Sequence, residues 1–461
     1  MAYNAPEGTA DMLPAAARMW RSTVEQAAKL FSKYGYEPID TPIFEQTEVF
    51  CRGIGEATDV VGKEMFVVRS GENFRRECAG ENVKSKSKLS LRPEGTAGVV
   101  RAAVQHNLVE QGSAPAKLFY AGPMFRAERP QRGRLRQFHQ IGCECLGATK
   151  PSSDAEMIIM LMRFFKEMGV PAGKTRLLIN SMGDEHCRPA YREMVRQFIL
   201  DHADDMCEEC RHRAETNPLR AFDCKNEACA AIMADAPKIT DHLCNDCREH
   251  YEAVKSYLDA EGVEYVEDPT LVRGLDYYTR TVFEVQVVEG MGSQNAIGGG
   301  GRYDKLVETM GGKPVEGLGF ALGFERMVLA LEAAGAVVAK PKQVDIYVAC
   351  VDETVRPAAF KLVQSLRDVG YHAEMDHQGR SLKSQFKVAD KMGAHSVAIV
   401  GPDELEQGVV RVRRMSTHAE RLVKLDPLMQ LADRFRTQPK VGGDFDQIHE
   451  LFEFGDAASE E

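Results

Sequence analysis

Residues 271–284 read LVRGLDYYTRTVFE and set an arginine and two adjacent tyrosines ahead of a strand-like run. Arg273 offers a planar guanidinium fork suited to phosphate or carboxylate, while Tyr277 and Tyr278 carry hydroxyls on rigid aromatic stems. Together they can hold an anionic group and a planar polar ring in one cavity. Taken alone, the same residues also fit a surface arginine beside two core tyrosines. The neighbouring segments decide between the two.

Working outward, strand-like alternation continues through Val282, Phe283, Glu284, Val285, Gln286 and Val287, then gives way to glycines and a helical segment. Before it lies a charged, cysteine-rich, mostly helical stretch over residues 184–262, and before that a mixed segment with many arginines. This pattern reads as an insertion splitting one domain. After Lys340-Pro341-Lys342, which reads as a linker, the run VDIYVAC opens a β-α-β-α rhythm of a small α/β domain ending near Gln430. The tail from Val441 carries acidic residues and no lysine or arginine, the composition of a solvated end. At 461 residues the chain exceeds one ordinary core. A hydrophobic content of 44% with 28% charged residues fits a soluble globular protein. No basic region followed by an apolar core opens the sequence, and no apolar run nears the ~18 residues that cross a bilayer. The expectation is a cytoplasmic protein with no membrane partner. In that compartment the twelve cysteines imply metal ligation or plain burial and not a disulfide framework. The net charge of -11 confines polyanion contacts to local basic patches.

Three further segments carry chemistry. Residues 118–147 read as two strands joined by a loop that crowds Arg129, Arg132, Arg134 and Arg136, with Pro130 and Gly133 breaking regular structure. On the returning strand Phe138, Gln140, Gly142 and Glu144 point one way, and His139, Ile141, Cys143 and Cys145 the other. One face suits a polar site and the other a core. Residues 317–332, GLGFALGFERMVLALE, place small residues beside a helix bearing Arg326; the spacing G-x-G-x-x-x-G is one residue too long for a dinucleotide fingerprint. The glycines of GGGGRYD, residues 298–304, let backbone line a cavity closely. Arg92-Pro93-Glu94-Gly95-Thr96 is a polar turn ahead of AGVVRAAV, which by itself reads as a carboxylate at a helix N-terminus.

These segments together resemble histidyl-tRNA synthetases, a class II aminoacyl-tRNA synthetase family. LVRGLDYYTRTVFE resembles the family's histidine-binding signature, 118–147 its motif 2, 317–332 its motif 3, and residues 37–64 around Pro42 its dimer-building motif 1. The implied fold is α+β: an antiparallel catalytic sheet with helices over 1–183 and 262–335, a helical Cys-rich insertion over 184–261, an α/β anticodon-binding domain over 342–430, and an acidic tail over 431–461. The resemblance implies ATP-dependent activation of L-histidine, with Mg²⁺, and transfer to the 3′ end of tRNA(His) by a homodimer. It puts Arg126 on the α-phosphate, Glu128 near the adenine amino group, Phe138 on the adenine ring and Arg326 on the γ-phosphate. Glu94, Thr96, Gln140, Glu144, Arg273, Tyr277 and Tyr278 would bind histidine, with Arg126 and Arg273 catalytic. Arg129, Arg132, Arg134 and Arg136 would reach the tRNA acceptor end, and Lys383, Lys387, Lys391, Arg411, Arg413 and Arg414 would give the anticodon domain its positive surface. A synthetase-like regulatory subunit of ATP phosphoribosyltransferase would lack that domain and depart from the signature. A non-catalytic zinc module would leave Gln140, Glu144, Arg273 and Arg326 unexplained.

In the insertion, Cys207-x-x-Cys210 and Cys244-x-x-Cys247 can surround a tetrahedral structural Zn²⁺, with Cys224 and Cys229 able to replace either pair. Buried free thiols are the alternative. Cys51, Cys78, Cys143, Cys145, Cys187 and Cys350 read as buried or partly buried thiols.

Overall fold

The computed structural model describes residues 3–55, 58–81, 88–110, 112–291, 294–335 and 344–437. Two compact units divide at residues 339 and 340. The expected linker and most of the acidic tail fall outside the described residues.

The first unit is built on an eight-stranded sheet. Its strands are β1 (Glu37–Pro38), β5 (Ala116–Phe125), β6 (Gln137–Leu146), β7 (Thr175–Ser181), β8 (Val266–Glu267), β9 (Thr279–Val287), β10 (Ala296–Arg302) and β11 (Gly317–Gly323). The order is β1-β5-β6-β11-β10-β9-β7-β8, antiparallel except for parallel pairing at the two edges. A small second sheet of β2 (Phe44–Gln46), β3 (Val67–Val68) and β4 (Leu89–Leu91) is formed by the chain between β1 and β5. Residues 118–147 form the expected hairpin, with Ala116 opposite Leu146 and Phe125 opposite Gln137.

The sheet has two unlike faces because pleating sends alternate side chains to opposite sides. Ile141, Cys143 and Cys145 join Phe283, Val285, Phe320 and Leu322 in a core covered by the helices Pro14–Ser32 and Pro151–Glu167. Phe31 from the first helix meets Phe119, Phe164 and Phe320 with ring centroids 5.5–5.9 Å apart, distances at which tilted and edge-on rings attract. The other face carries Phe138, Gln140 and Glu144 toward a cleft.

The cysteine-rich stretch is helical, as its composition suggests, yet it does not pack by itself. Tyr251, Val254 and Leu258 of helix Asn245–Ala260 enter the core beneath the main sheet. His250 on that helix reaches Asp154, which also binds the fully buried Arg302; Arg302 in turn donates to the Ala148 carbonyl at 2.9 Å and to Asp304 at 3.2 Å. Burying a guanidinium is tolerable only with such saturation. Burial would raise the Asp154 carboxyl, but Arg302 and His250 outweigh it and hold it at about 2.

The second unit is a five-stranded sheet flanked by helices. Its strands β12 (Ile346–Cys350), β13 (Ala373–Met375), β14 (Ser396–Val400), β15 (Val409–Arg414) and β16 (Glu420–Lys424) take the order β13-β12-β14-β15-β16. The first three are parallel and the last two antiparallel. Helix Arg356–Asp368 covers one face through Ala359, Leu362 and Leu366, and helix Leu382–Lys391 the other through Ala389. Lys383, Lys387 and Lys391 are exposed, as four-residue spacing on one helix face predicts. Arg411 and Arg413 differ from expectation, since both pair within the unit with Glu420 and Arg411 also with Glu404, so their charge is partly neutralised.

Candidate active site

A cleft above the polar face of the sheet encloses about 220 Å³ and brings together Glu94, Thr96, Arg126, Glu128, Arg134, Phe138, Gln140, Arg273, Tyr277, Tyr278 and Arg326. Residues far apart in sequence meet here because β6, β9, β10 and β11 are sheet neighbours, while the turn before helix Thr96–Gln105 closes one end.

Glu94 caps that helix, accepting hydrogen bonds from the Thr96 and Ala97 amides at 2.8 Å each. The same carboxylate is buried and lines the cleft, so capping the helix does not take it away from the site. Burial pushes its carboxyl above the ordinary range. The Thr96 hydroxyl is committed to Glu144 at 2.7 Å. Glu144 itself sits under the cleft floor, wholly buried, and also takes the hydroxyl of Tyr303. Burial lifts it to about 8, against the hydrogen bonds from Tyr303 and Thr96 that favour its ionised form. Room for this carboxyl exists because position 319 is glycine: a Cβ there would overlap Glu144 and stand 2.5 Å from the Cys143 carbonyl oxygen. The Gln140 side-chain oxygen is buried with no partner among the described residues, an arrangement that a bound polar group would satisfy.

At the other end the charges change sign. Arg126 donates to the Pro93 carbonyl at 2.9 Å and stacks over the Phe138 ring at 5.4 Å. Arg273 donates to Glu284 at 2.6 Å and lies 5.9 Å over the Tyr278 ring. Gly299 leaves space for that guanidinium, whose Nη1 would be 3.0 Å from an added Cβ. Arg326 donates to the Gly133 carbonyl at 2.9 Å, the Ala296 carbonyl at 3.1 Å and Gln294 at 2.7 Å. Burial lowers the affinity of Arg326 for its proton, and the guanidiniums of Arg134 and Arg126 lower it further. Burial likewise acts on Arg126, with Arg273 adding to it. Glu284 and Glu128 partly neutralise this cluster, through Arg273 and through Arg134 and Arg126, and the guanidiniums that remain give the half-enclosed cleft a local positive field suited to an anion.

The four loop arginines divide. Arg129 and Arg132 are exposed. Arg134 pairs with Glu128 inside the cleft. Arg136 instead turns back on the N-terminal arm, donating to the Glu128 and Glu7 carbonyls at 3.2 and 3.3 Å while its own amide donates to the Gly8 carbonyl at 2.7 Å. It fastens the hairpin and does not face a groove. Tyr303 and Glu284 went unassigned in the sequence reading, although Tyr303 lies in the glycine-rich run and Glu284 closes the opening stretch. The expected four-cysteine metal set is not assembled: Cys207 and Cys210 group with Cys224 and Cys229, and Cys244 and Cys247 with Asp184 and Cys187. Cys187 is buried as expected but belongs to a group that could hold a metal, and Cys78, expected to be buried or partly buried, is exposed.

Comparison with known proteins agrees with this geometry. The histidyl-tRNA synthetase family model matches residues 8–327, and an anticodon-binding-domain model matches residues 345–433. A histidine–tRNA ligase of Halothermothrix orenii is 44% identical over 430 residues, covering 93% of this chain and 99% of the relative. That of Moorella thermoacetica is 44% identical over 442 residues, covering 96% and 100%. The crystal structure of apo histidyl-tRNA synthetase from S. aureus superposes with a TM-score of 0.76 at 35% identity, covering 93% of this chain and 99% of that one. A match over most of both lengths, with the signature, the motif-2 hairpin and motif 3 converging on one cleft, means that the chain belongs to the histidyl-tRNA synthetase family.

Proposed function

We infer that this chain activates L-histidine with ATP and transfers it to the 3′ end of tRNA(His), with the cleft as the site of both steps. The observation that carries this reading is one cavity lined both by the carboxylate Glu94 and the phenols Tyr277 and Tyr278 and by the arginines Arg126, Arg273 and Arg326. The attacking carboxylate of an amino acid is already ionised, so adenylation needs little acid or base chemistry. It needs stabilisation of charge that accumulates on the α-phosphate as oxygen attacks and pyrophosphate leaves. Arg126 and Arg273 line this cavity and are assigned that task. Phe138, already stacked under Arg126, takes the adenine ring, Glu128 its amino group, and Arg326 the γ-phosphate.

On the histidine side, Glu94, Thr96 and Gln140 receive the α-amino group, and Glu144 and Tyr278 hold the two imidazole nitrogens, with Tyr277 beside them. An isostere lacking either nitrogen would leave buried groups unpaired, a means of discrimination worth ~10⁴ or more. The Mg²⁺ that accompanies ATP would be held mainly by the phosphates and would offset their charge; Glu284, one of the cleft carboxylates, could contribute a ligand. Arg129 and Arg132 are the loop residues left free to meet the acceptor end. The second unit, with its exposed Lys383, Lys387 and Lys391, serves the anticodon. Ile43 and Phe44 are 45% and 51% exposed next to Pro42, apolar surface that a second copy would cover; the active form is a homodimer. No helix among the described residues is long and apolar enough to cross a membrane, and a cytoplasmic location follows from the role in translation.

The test is exchange of labelled pyrophosphate into ATP by the purified protein. Exchange is expected only with L-histidine present. Equal exchange with other amino acids would refute the assignment of Glu144 and Tyr278.

A further inference from the structure

Seven of the twelve cysteines and one aspartate converge on two places outside the cleft. In the first, Cys207, Cys210, Cys224 and Cys229 bring their sulfurs within 4.8 Å of one another; in the second, Asp184, Cys187, Cys244 and Cys247 do the same. We propose that the insertion carries two structural zinc centres, one Cys₄ and one Cys₃Asp, and that the second anchors the segment bearing Tyr277 and Tyr278.

Geometry and local chemistry agree at each place. A tetrahedral zinc with Zn–S bonds of ~2.3 Å sets its sulfurs about 3.8 Å apart, and a sulfur and carboxylate oxygen about 3.5 Å apart. Cys207 and Cys224 are 3.8 Å apart, the Cys187 sulfur lies 3.5 Å from Asp184 Oδ1, and the Cys244 sulfur 3.8 Å from the same oxygen. These distances are too long for disulfides and too uniform for thiols scattered through a core. The two C-x-x-C pairs are built alike: Cys207 and Cys244 are the N-caps of helices Glu208–Thr216 and Asn245–Ala260, and Cys210 and Cys247 sit in their first turns. Amides at a helix start favour thiolates. The Cys207 amide also donates to the Cys229 sulfur at 3.2 Å. Sulfur-rich tetrahedral sets with no open position select zinc and leave nothing for catalysis.

The second centre stands next to the histidine signature. The Arg280 amide donates to the Gly183 carbonyl at 2.8 Å, the Met182 amide to the Arg280 carbonyl at 2.6 Å, and Arg188 to the Tyr278 carbonyl at 2.7 Å. Arg280 adopts a left-handed backbone, φ 48°, which a non-glycine residue holds only under constraint. A metal fixing Asp184 and Cys187 to helix Asn245–Ala260 would supply it.

Elemental analysis of the full chain, purified without chelator or added metal, should give two zinc ions per chain. Titration of that native protein with a thiol-reactive mercurial, followed by a zinc indicator, should release both. Cys224→Ser and Cys187→Ser should each retain one ion, and only Cys187→Ser should raise the KM for histidine, by tenfold or more, with the KM for ATP unchanged. No zinc or one zinc in the native chain would overturn the two-centre assignment, as would stoichiometric iron in its place. A folded Cys187→Ser chain that holds one ion and keeps an unchanged histidine KM would overturn the anchoring role, and one that still holds two ions would overturn the assignment of Cys187 as a ligand. The mercurial titration decides the stoichiometry even where a variant does not fold. Pyrophosphate exchange with histidine alone, measured on the same preparation, tests the catalytic reading separately.

Discussion

Gly319→Ala is the sharpest probe of how the sheet makes room for Glu144. Residue 319 lies on β11 directly opposite Glu144 on β6. An added Cβ would be 2.8 Å from the Glu144 carboxyl carbon and 2.5 Å from the Cys143 carbonyl oxygen. Non-bonded carbon atoms settle at ~3.5 Å or more, so the carboxyl carbon alone must retreat by about 0.7 Å, and the nearer carboxylate oxygen, which would overlap the new Cβ outright, demands more. The carbonyl cannot move without stretching the β6–β11 ladder. Glu144 is wholly buried and tied to Thr96 and Tyr303, so its retreat disturbs three groups together. Overpacking of this kind costs ~1–3 kcal/mol of stability. A misplacement approaching 1 Å costs ~10²-fold in rate when it falls on a positioning group. The expected result is a folded protein with a melting midpoint lowered by a few degrees. Its histidine-dependent pyrophosphate exchange should fall about 100-fold, through the KM for histidine and kcat, with the KM for ATP little changed. Glu144→Gln, which keeps the volume and leaves a single acceptor for the Thr96 and Tyr303 hydroxyls, should lose histidine selectivity without the overpacking. A Gly319→Ala enzyme with unaltered histidine kinetics would refute the reasoning, because Glu144 could then not stand against this glycine in the working enzyme.

Three other expectations rest on different parts of the molecule. Arg273→Ala should lower kcat by ~10²–10³ while histidine still binds, and Arg273→Lys should not restore it, because the fork to Glu284 and the phosphate is lost; recovery by lysine in the exchange assay would refute this. Arg326→Ala should weaken ATP use by roughly 10- to 100-fold, the worth of a charged hydrogen bond at ~1.5–3 kcal/mol, and leave the KM for histidine alone, as initial-rate kinetics would read. Asp154 has a folded value of about 2 against an unfolded value near 4, so its stabilisation, ~2 kcal/mol, is complete above pH 4 and disappears as pH falls through 2. Denaturant midpoints measured between pH 5 and 2 should show this slope. It should be absent in Asp154→Asn, which at neutral pH should be destabilised by ~3–5 kcal/mol because Arg302 stays buried without its counter-charge.

What could be read from the chain and what could not follows from the range over which each signal acts. Alternation along residues 138–145 separates the site face from the core face because a strand repeats every two residues, and the structure keeps that division at Gln140, Ile141, Cys143 and Glu144. The breaks at Pro130 and Gly133 mark the hairpin loop for similarly local reasons. Tyr303 carries no comparable signal: its hydroxyl matters only because β10 and β11 bring residues 303 and 144 together. Arg136 shows the opposite error. Its neighbours in sequence suggest a nucleic-acid loop, yet beside the nearby Glu128 carbonyl its partners are residues 7 and 8, more than a hundred positions away.

The cysteines make the same point most clearly. A C-x-x-C spacing states that two thiols share a helix start and says nothing of which other pair faces them. With four pairs of candidate ligands, including one that uses a carboxylate, the chain alone permits several groupings. Folding selects one: Cys224 and Cys229 follow the short turn at residues 218–223 back to Cys207, whereas Cys244 lies at the start of a helix whose far end is anchored in the catalytic core, beside Asp184 at the end of β7. Helix packing thus decides the ligand sets, and it ties the second set to the strand that follows Tyr278. If Cys244→Ser removed the same single ion as Cys207→Ser, that packing argument would fail.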